Sequence, residues 1–430
     1  TFFDTPLFFQ GDYRPSRILA VSEDQIEVDF NHPLACHVAR HPARIEAACL
    51  RAQFPAILHP IEDGDLLAGR IQMGLVGLGI QHQTGGFGFY INEEKVVHEL
   101  EFKAGTAQYR EDLHDLLTYW KGRNTNAIVL RGTPERIRGT LFSDQWRHLP
   151  LPASPILRMA GAYVDFDKLI RIGVPGLERE VEQLRAKAAA EGGDAALFES
   201  MLDVLGLLKE VCGHYREQAG ALAKQAPDAR RRKQLERIAA SLAAIPVRPP
   251  RSMHEGLQLA WIYGIMAPLI EYGRLDVYLG DLYAHDVDTG VLSQEEAVDL
   301  TRSFFRLIDH LDCETDGRVI VGGYGRRNPA NADRMCLVAI EACRTLHEVL
   351  PQFTLRFNRE TPRDVWDAAM RCIEEGRTYP RLYNDDVLVP GHGPLGTRAN
   401  VTMFREYLQD LRGEVLRYVK WKVEGARLAE

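Results

Sequence analysis

The side chains best suited by type and spacing to chemistry lie late in the chain, where RLYNDDVLVP sets Asp385 and Asp386 at the close of a β-like run. Parallel-sheet enzymes place their chemistry at such strand ends. Adjacent residues on a strand point to opposite faces, so at most one of the two carboxylates is expected to look into a pocket. Upstream, VGGYGRRN offers a glycine turn whose backbone N–H groups could cradle an anion. It fits neither the phosphate-loop nor the dinucleotide pattern, which leaves a strand-end turn as its expected role. His82 and His114 have no second ligand at helical spacing, so no metal is expected. Cys336 and Cys343 share one face of an apolar helix and should pack as small hydrophobes. A serine nucleophile would need a G-x-S-x-G turn, and the chain has none.

The elements that must position these residues belong to a globular protein: 430 residues, 45% hydrophobic and 26% charged. That length suits one large α/β domain or two to three average ones. Net charge is −8, and the one short basic run, Arg230 to Lys233, follows Pro227-Asp228. It reads as a solvated helix start, so no nucleic acid is expected as a partner. Seven cysteines without a C-x-x-C pair fit reduced thiols in the cytoplasm. No window approaches the roughly 20 apolar residues of a bilayer span, and no secretory leader opens the sequence, so no membrane is expected as a partner.

HPARIEAACLRAQF carries helical spacing, and IEDGDLLAGRI has an Asp-Gly turn before a short strand. MGLVGLGIQHQTGGFGFYI holds six glycines and reads as loops whose backbone passes close to a ligand or to another strand. Residues 175–243 are the most helical part, and the helix there opens on Pro175. The prolines of IPVRPPRS must interrupt it, after which MHEGLQLAWIYGIMAPLI, apolar all round, should be a buried helix. Ser293 is an N-cap with acids in the first turn behind it. RVIVGGYG, PQFTLRFN and RLYNDDVLV are strands separated by helices, the pattern of a β/α barrel or an open α/β sheet.

In chain order, IEDGDLLAGR, LTYWKGR, GAYVDFDKLIRIGVPGL, RSMHEGLQLAWIYGI, GRLDVYLGDLYAHDVDTGVLSQEEA, VGGYG, LPQFTLRF and RLYNDDVLVP resemble segments of the glycyl-radical enzymes, the pyruvate formate-lyase-like proteins. Each is weak alone; collinear over residues 45–390 they are a strong signal. The resemblance implies an α/β fold, a ten-stranded β/α barrel of the glycyl-radical enzyme type, here incomplete and surrounded by helices. It would occupy residues 1–391, with a helical layer at about 175–265, and residues 392–430 would resume as a helical segment after a skipped catalytic loop. It also implies a cysteine whose thiyl radical takes hydrogen from substrate, and a glycyl radical installed by a separate S-adenosylmethionine radical activase. No bound cofactor, a small-molecule substrate, the activase as partner and a homodimer complete the expectation.

The departure from that pattern is local. After RLYNDDVLVP the chain runs Gly391-His392-Gly393-Pro394-Leu395-Gly396, no cysteine follows Cys372, and no Arg-Val-x-Gly-Tyr-like element occurs. FREYLQDLRGEVLRYVKWKVEGARLAE then resembles a helix lying beyond the family's cysteine loop. Either these residues are an incomplete view of a lyase, or the chain is a degenerate relative serving as a binding or assembly module. The first is favoured, because the apparent excision falls between two segments that fit.

By order in the resemblance, Gly161 stands where dehydratases often carry histidine, and Pro268-Leu269 where they often carry polar residues. Diol dehydration needs hydrogen bonds to two hydroxyls, so the apolar Leu269 argues against it. Glu271 is the remaining ionisable candidate there, and Asp165 and Asn384 join it as substrate-binding candidates from their matched segments. Arg356 could hold a substrate carboxylate bidentately, with an ion pair to a nearby acid as the competing role. With these residues, the resemblance implies a lyase cleaving a C–C or C–heteroatom bond of a small, carboxylate-bearing substrate, with formate acetyltransferase-type transfer to coenzyme A as the alternative.

Overall fold

The computed structural model describes residues 19–21, 26–28, 42–72, 75–80, 87–120, 164–266, 271–311, 317–348 and 351–387. A short antiparallel pair, β1 (Leu19–Val21) and β2 (Ile26–Val28), precedes α1 (Pro42–Ile57). The strands β3 (Leu58–His59) and β4 (Arg70–Ile71) then pair antiparallel around the IEDGDLLAG loop. Arg70 closes that loop, its Nε and Nη2 each donating to Asp65 at 2.8 Å.

The glycine-rich run that reads as loops contains strands instead: β5 (Val76–Ile80) pairs antiparallel with β6 (Phe87–Ile91), Gly79 opposite Gly88. In VGLGI the apolar residues alternate with glycine, and this period of two outweighs the cost of glycine in a strand. Helix α2 (Glu93–His98), capped by Asn92, continues as a wider turn through Glu99–Lys103 and is followed by α3 (Ala107–Trp120). Val76, Val96, Leu113, Leu116 and Trp120 form a small core of their own here.

The helical layer begins with α4 (Phe166–Ala190). Gly173, at φ +63°, breaks it, and Pro175 restarts it, so the sequence places the proline correctly but not the preceding turns. A side chain at Gly173 would meet Pro249 Cα at 2.8 Å. Next come α5 (Ala196–Gln225) and α6 (Ala229–Ala244). Asp228 caps α6 by accepting from Arg231 N at 2.8 Å, as a helix start should. Arg231 itself is buried, donating to Glu62 O at 2.9 Å and Asp65 O at 2.7 Å, and so ties α6 to the β3–β4 loop.

The apolar helix α7 (Met253–Met266) is buried on all sides. Its polar side chains are satisfied by the same loop: Gln258 exchanges two hydrogen bonds with the backbone of Ala68, and Trp261 Nε1 donates to Gly69 O at 2.9 Å. His254 bridges Ser241 Oγ (2.8 Å, through Nδ1) and Leu66 O (2.9 Å, through Nε2). The carbonyl can only accept, which assigns the proton to Nε2 and makes Ser241 the donor to Nδ1.

Four strands then alternate with helices: β7 (Glu271–Arg274), α8 (Leu275–Asp288), α9 (Gln294–His310), β8 (Arg318–Gly322), α10 (Pro329–Thr345), β9 (Phe353–Phe357), α11 (Arg363–Glu374) and β10 (Arg381–Asn384). The strands form one parallel sheet in the order β10-β9-β8-β7, consecutive in sequence, as βαβ crossovers with helix covers produce. Ser293 and Glu296 complete a reciprocal capping box at α9. Trp261, Tyr272 and Phe304 pack edge-on and stacked where the buried helix meets the sheet. Cys336 and Cys343 lie in this core, as their spacing on α10 predicts. Among the described residues no helix is long and apolar enough to cross a membrane.

Candidate active site at the carboxyl end of the parallel sheet

The carboxyl ends of parallel strands are where open sheets and barrels bind ligands. Here those ends carry a dense set of charges. Strand β7 contributes first: Glu271 pairs with Arg318 and Arg274 with Ile320, so three steps on β7 face two on β8. Gly273 supplies the positive φ (+61°) at this bulge. Arg274 is thereby aimed at the turn after β8, where Nη1 donates to Tyr324 O at 2.7 Å and Nη2 donates to Gly322 O.

Two residues on, in the first turn of α8, Asp276 is fully buried. Its Oδ2 accepts from Gly322 N at 3.0 Å and from Cys336 Sγ at 3.6 Å, and the Arg326 guanidinium stands 3.9 Å away. Burial lifts the Asp276 carboxyl to about 6, against the pull of Arg274 and Arg326. Burial likewise lowers Arg274 and raises the Cys336 thiol well above its usual range.

The turn after β8 needs glycine twice. Gly322 and Gly323 have φ of +78° and +79°, and a Cβ would come within 2.2 Å of Arg356 O at the first and 2.4 Å of Asp385 Oδ2 at the second. This is the strand-end turn expected of VGGYG. Beyond it, Tyr324 N donates to Asp385 Oδ2 at 2.8 Å and the Tyr324 hydroxyl donates to Asp386 Oδ1 at 2.9 Å. The alternation rule therefore fails for the acid pair: β10 ends at Asn384, both aspartates lie in the following turn, and both face Tyr324. The Tyr324 hydroxyl holds the Asp386 carboxyl below its ordinary range.

Arg356, on β9, lies between these turns. Its Nε and Nη2 donate to Asp385 Oδ1 and Oδ2, each at 2.9 Å. The structure thus shows the ion pair rather than a fork held open for a substrate carboxylate. Asn384, exposed at the end of β10, accepts from Asp386 N at 2.9 Å and lies one register step beyond Arg356's own partner, Tyr383. Arg356 and Asn384 thus lie near the same end of neighbouring strands, one register step apart. Glu271 is apart from them: it pairs with Arg318 at 3.0 Å at the opposite end of the strands. Arg318 and Gly322, the β8 partners of Glu271 and Arg356, are four residues apart, about 13 Å along the strand. Asp165 is an exposed N-cap, accepting from Lys168 N at 2.9 Å. Leu269, Gly161 and Pro268 lie outside the described residues, as do His82 and residues 388–430.

Arg274, Asp276 and Tyr324 belong to no recognised catalytic pattern, so residue type alone does not single them out. The available signal was charge beside a strand: G-R-L-D puts a cation and an anion where an otherwise apolar segment begins. Among the described residues no cluster of histidine, cysteine or carboxylates could hold a metal, and His114 is exposed on α3.

The family described as Pyruvate formate lyase-like matches residues 47–406. The chain is 22% identical over 343 residues to the probable dehydratase YbiW of Escherichia coli, covering 70% of this chain and 41% of that protein. It is 21% identical over 363 residues to the isethionate sulfite-lyase of Nitratidesulfovibrio vulgaris, covering 77% and 44%. The crystal structure of a glycyl radical enzyme from Archaeoglobus fulgidus superposes with a TM-score of 0.63 at 17% identity, covering 83% of this chain and 49% of that one. The chain spans less than half the length of each of these proteins. With a family match running through the helical layer and all four parallel strands, this chain belongs to the pyruvate formate-lyase-like glycyl-radical enzymes.

Proposed function

We propose that the chain is part of a glycyl-radical lyase that eliminates a leaving group from a small substrate at the carboxyl end of the parallel sheet, inside a ten-stranded barrel. The observation that carries this reading is the match over residues 47–406, joined to relatives named as a dehydratase and a sulfite-lyase. Those names favour elimination from carbon over acyl transfer to coenzyme A. The ion pair at Arg356 withdraws the support that residue gave to a carboxylate on the substrate.

A glycyl radical installed by a separate S-adenosylmethionine radical activase would supply hydrogen abstraction from substrate carbon. The described cysteines do not fit the relay in that chemistry. All five are buried, and Cys336, the one beside the strand ends, donates its thiol hydrogen to Asp276. What the strand-end residues supply is a rigid frame. Arg274, Arg326 and Arg356 stand against Asp276, Asp333 and Asp385, so the strand ends balance cations with anions and leave the turn carbonyls satisfied. Such preset charges need little reorganisation while a reaction proceeds beside them.

The test is anaerobic turnover by the full-length protein with its activase, offered small alcohols, hydroxysulfonates, or pyruvate with coenzyme A. Release of water or sulfite with a carbonyl product is expected. Acetyl-coenzyme A formation without elimination would replace this reading with acyl transfer.

A further inference from the structure

Arg356 draws attention because a bidentate fork at a strand end is the usual signature of anion recognition. Its surroundings indicate another role. The arginine sits on β9, its partner Asp385 follows β10, and the same carboxylate accepts the backbone N–H of Tyr324, which follows β8. One carboxylate thus joins three consecutive strand ends. Next to it Asp386 repeats the arrangement, accepting from the Tyr324 hydroxyl and from Arg359 N at 2.9 Å each. The fit is tight in an independent respect: at Gly323 a Cβ would stand 2.4 Å from Asp385 Oδ2 and 2.9 Å from Arg356 Cβ.

We infer that Arg356 is a positioning residue which, by clamping Asp385, fixes the Tyr324 turn and the direction in which the chain leaves β10, and that it does not hold a substrate anion. The functional importance of this corner rests on the proposed lyase reading, whereas the clamp itself is read without turnover. A guanidinium that spends its Nε–H and one Nη2–H on a protein carboxylate keeps three N–H donors, but its charge is already balanced by Asp385, so a second anion gains less from it. The shared acceptor also explains the order of dependence. Removing the arginine frees Asp385 to leave Tyr324, but removing the tyrosine hydroxyl leaves the Arg356–Asp385 pair in place.

Amide hydrogen exchange at single-residue resolution on the full-length protein tests this. In Arg356→Ala and in Asp385→Ala the Tyr324 amide should exchange at least tenfold faster than in wild type, with amides of α5 unchanged. Arg356→Lys, which keeps the charge but not the fork, should fall between. Gly323→Ala, which displaces Asp385 without removing either charge, should also loosen the Tyr324 amide. Acetate, titrated by calorimetry as a probe carboxylate, should respond equally to wild type and Arg356→Ala. A Tyr324 amide within twofold of wild type in Arg356→Ala would overturn the inference, and so would an equal rise in α5, which signals general destabilisation. A tenfold loss of acetate affinity with the Tyr324 amide still protected would assign the arginine to ligand binding instead. Failure of turnover alone would remove the lyase reading and leave the clamp standing.

Discussion

Arg274 and Asp276, two residues apart where β7 becomes α8, hold the same turn by opposite polarities: the arginine donates to the Gly322 and Tyr324 carbonyls, and the aspartate accepts the Gly322 N–H. A turn with positive φ at successive glycines is held by its hydrogen bonds more than by its own preference. Asp276→Ala should therefore destabilise the protein by about 3 kcal/mol, because it strands a buried N–H and takes the buried carboxylate away from Arg274. Asp276→Asn, which keeps an acceptor, should cost roughly half as much. Urea unfolding of the two variants beside wild type measures the difference.

Two buried groups titrate in overlapping windows with opposite signs. Burial raises the Asp276 carboxyl from 3.8 to about 6, so its contribution to stability is fully present below 3.8 and is lost as pH rises through 6. Burial lowers His254 from 6.5 to about 4, so its contribution is present above 6.5 and is lost as pH falls through 4. The two partly cancel in wild type. Asp276→Asn removes one of them, and its stability should fall more steeply than that of wild type between pH 6.5 and 4. Denaturant titrations at several pH values in that interval give the two slopes.

Glycine substitutions separate steric demand from backbone strain. Gly322→Ala would press a methyl group to within 2.2 Å of Arg356 O at a φ of +78°, and should cost at least about 3 kcal/mol or prevent folding. Gly192 has φ +73° with open space around it, so Gly192→Ala should cost only about 1 kcal/mol. Thermal melts of both variants provide the comparison.

Phe304 is fully buried against Trp261 and Tyr272 at ring separations of 5.9 and 5.3 Å. Phe304→Ala should lose about 4 kcal/mol through the cavity it leaves. The sheet end should retain its Tyr324 amide protection relative to global unfolding, since Phe304 makes none of its hydrogen bonds.

Much of this was legible in the sequence where pattern and physics coincide. Ser293 with Glu296, Pro175, the apolar run of α7 and the turn of VGGYG all have the structural roles their chemistry predicts. Failures came where a local rule met a tertiary partner. VGLGI has glycines that argue for loop, yet its alternation finds an antiparallel mate in FGFYI. Asp385 and Asp386 obey strand alternation only if the strand reaches them, and it stops one residue earlier. Arg356 and Glu271 are both ionisable and both near strands, but nothing local says that they occupy opposite ends of the sheet, because register is set by pairing across strands. Arg231 reads as a solvated cation and is instead buried on two carbonyls from a loop more than 160 residues away.

The most direct measurement is electron paramagnetic resonance of the full-length polypeptide after anaerobic incubation with a radical activase and S-adenosylmethionine. A glycyl doublet is the predicted result. A silent spectrum, under conditions where the same activase preparation radicalises a related lyase, would contradict the catalytic reading and leave the fold as a binding or assembly frame.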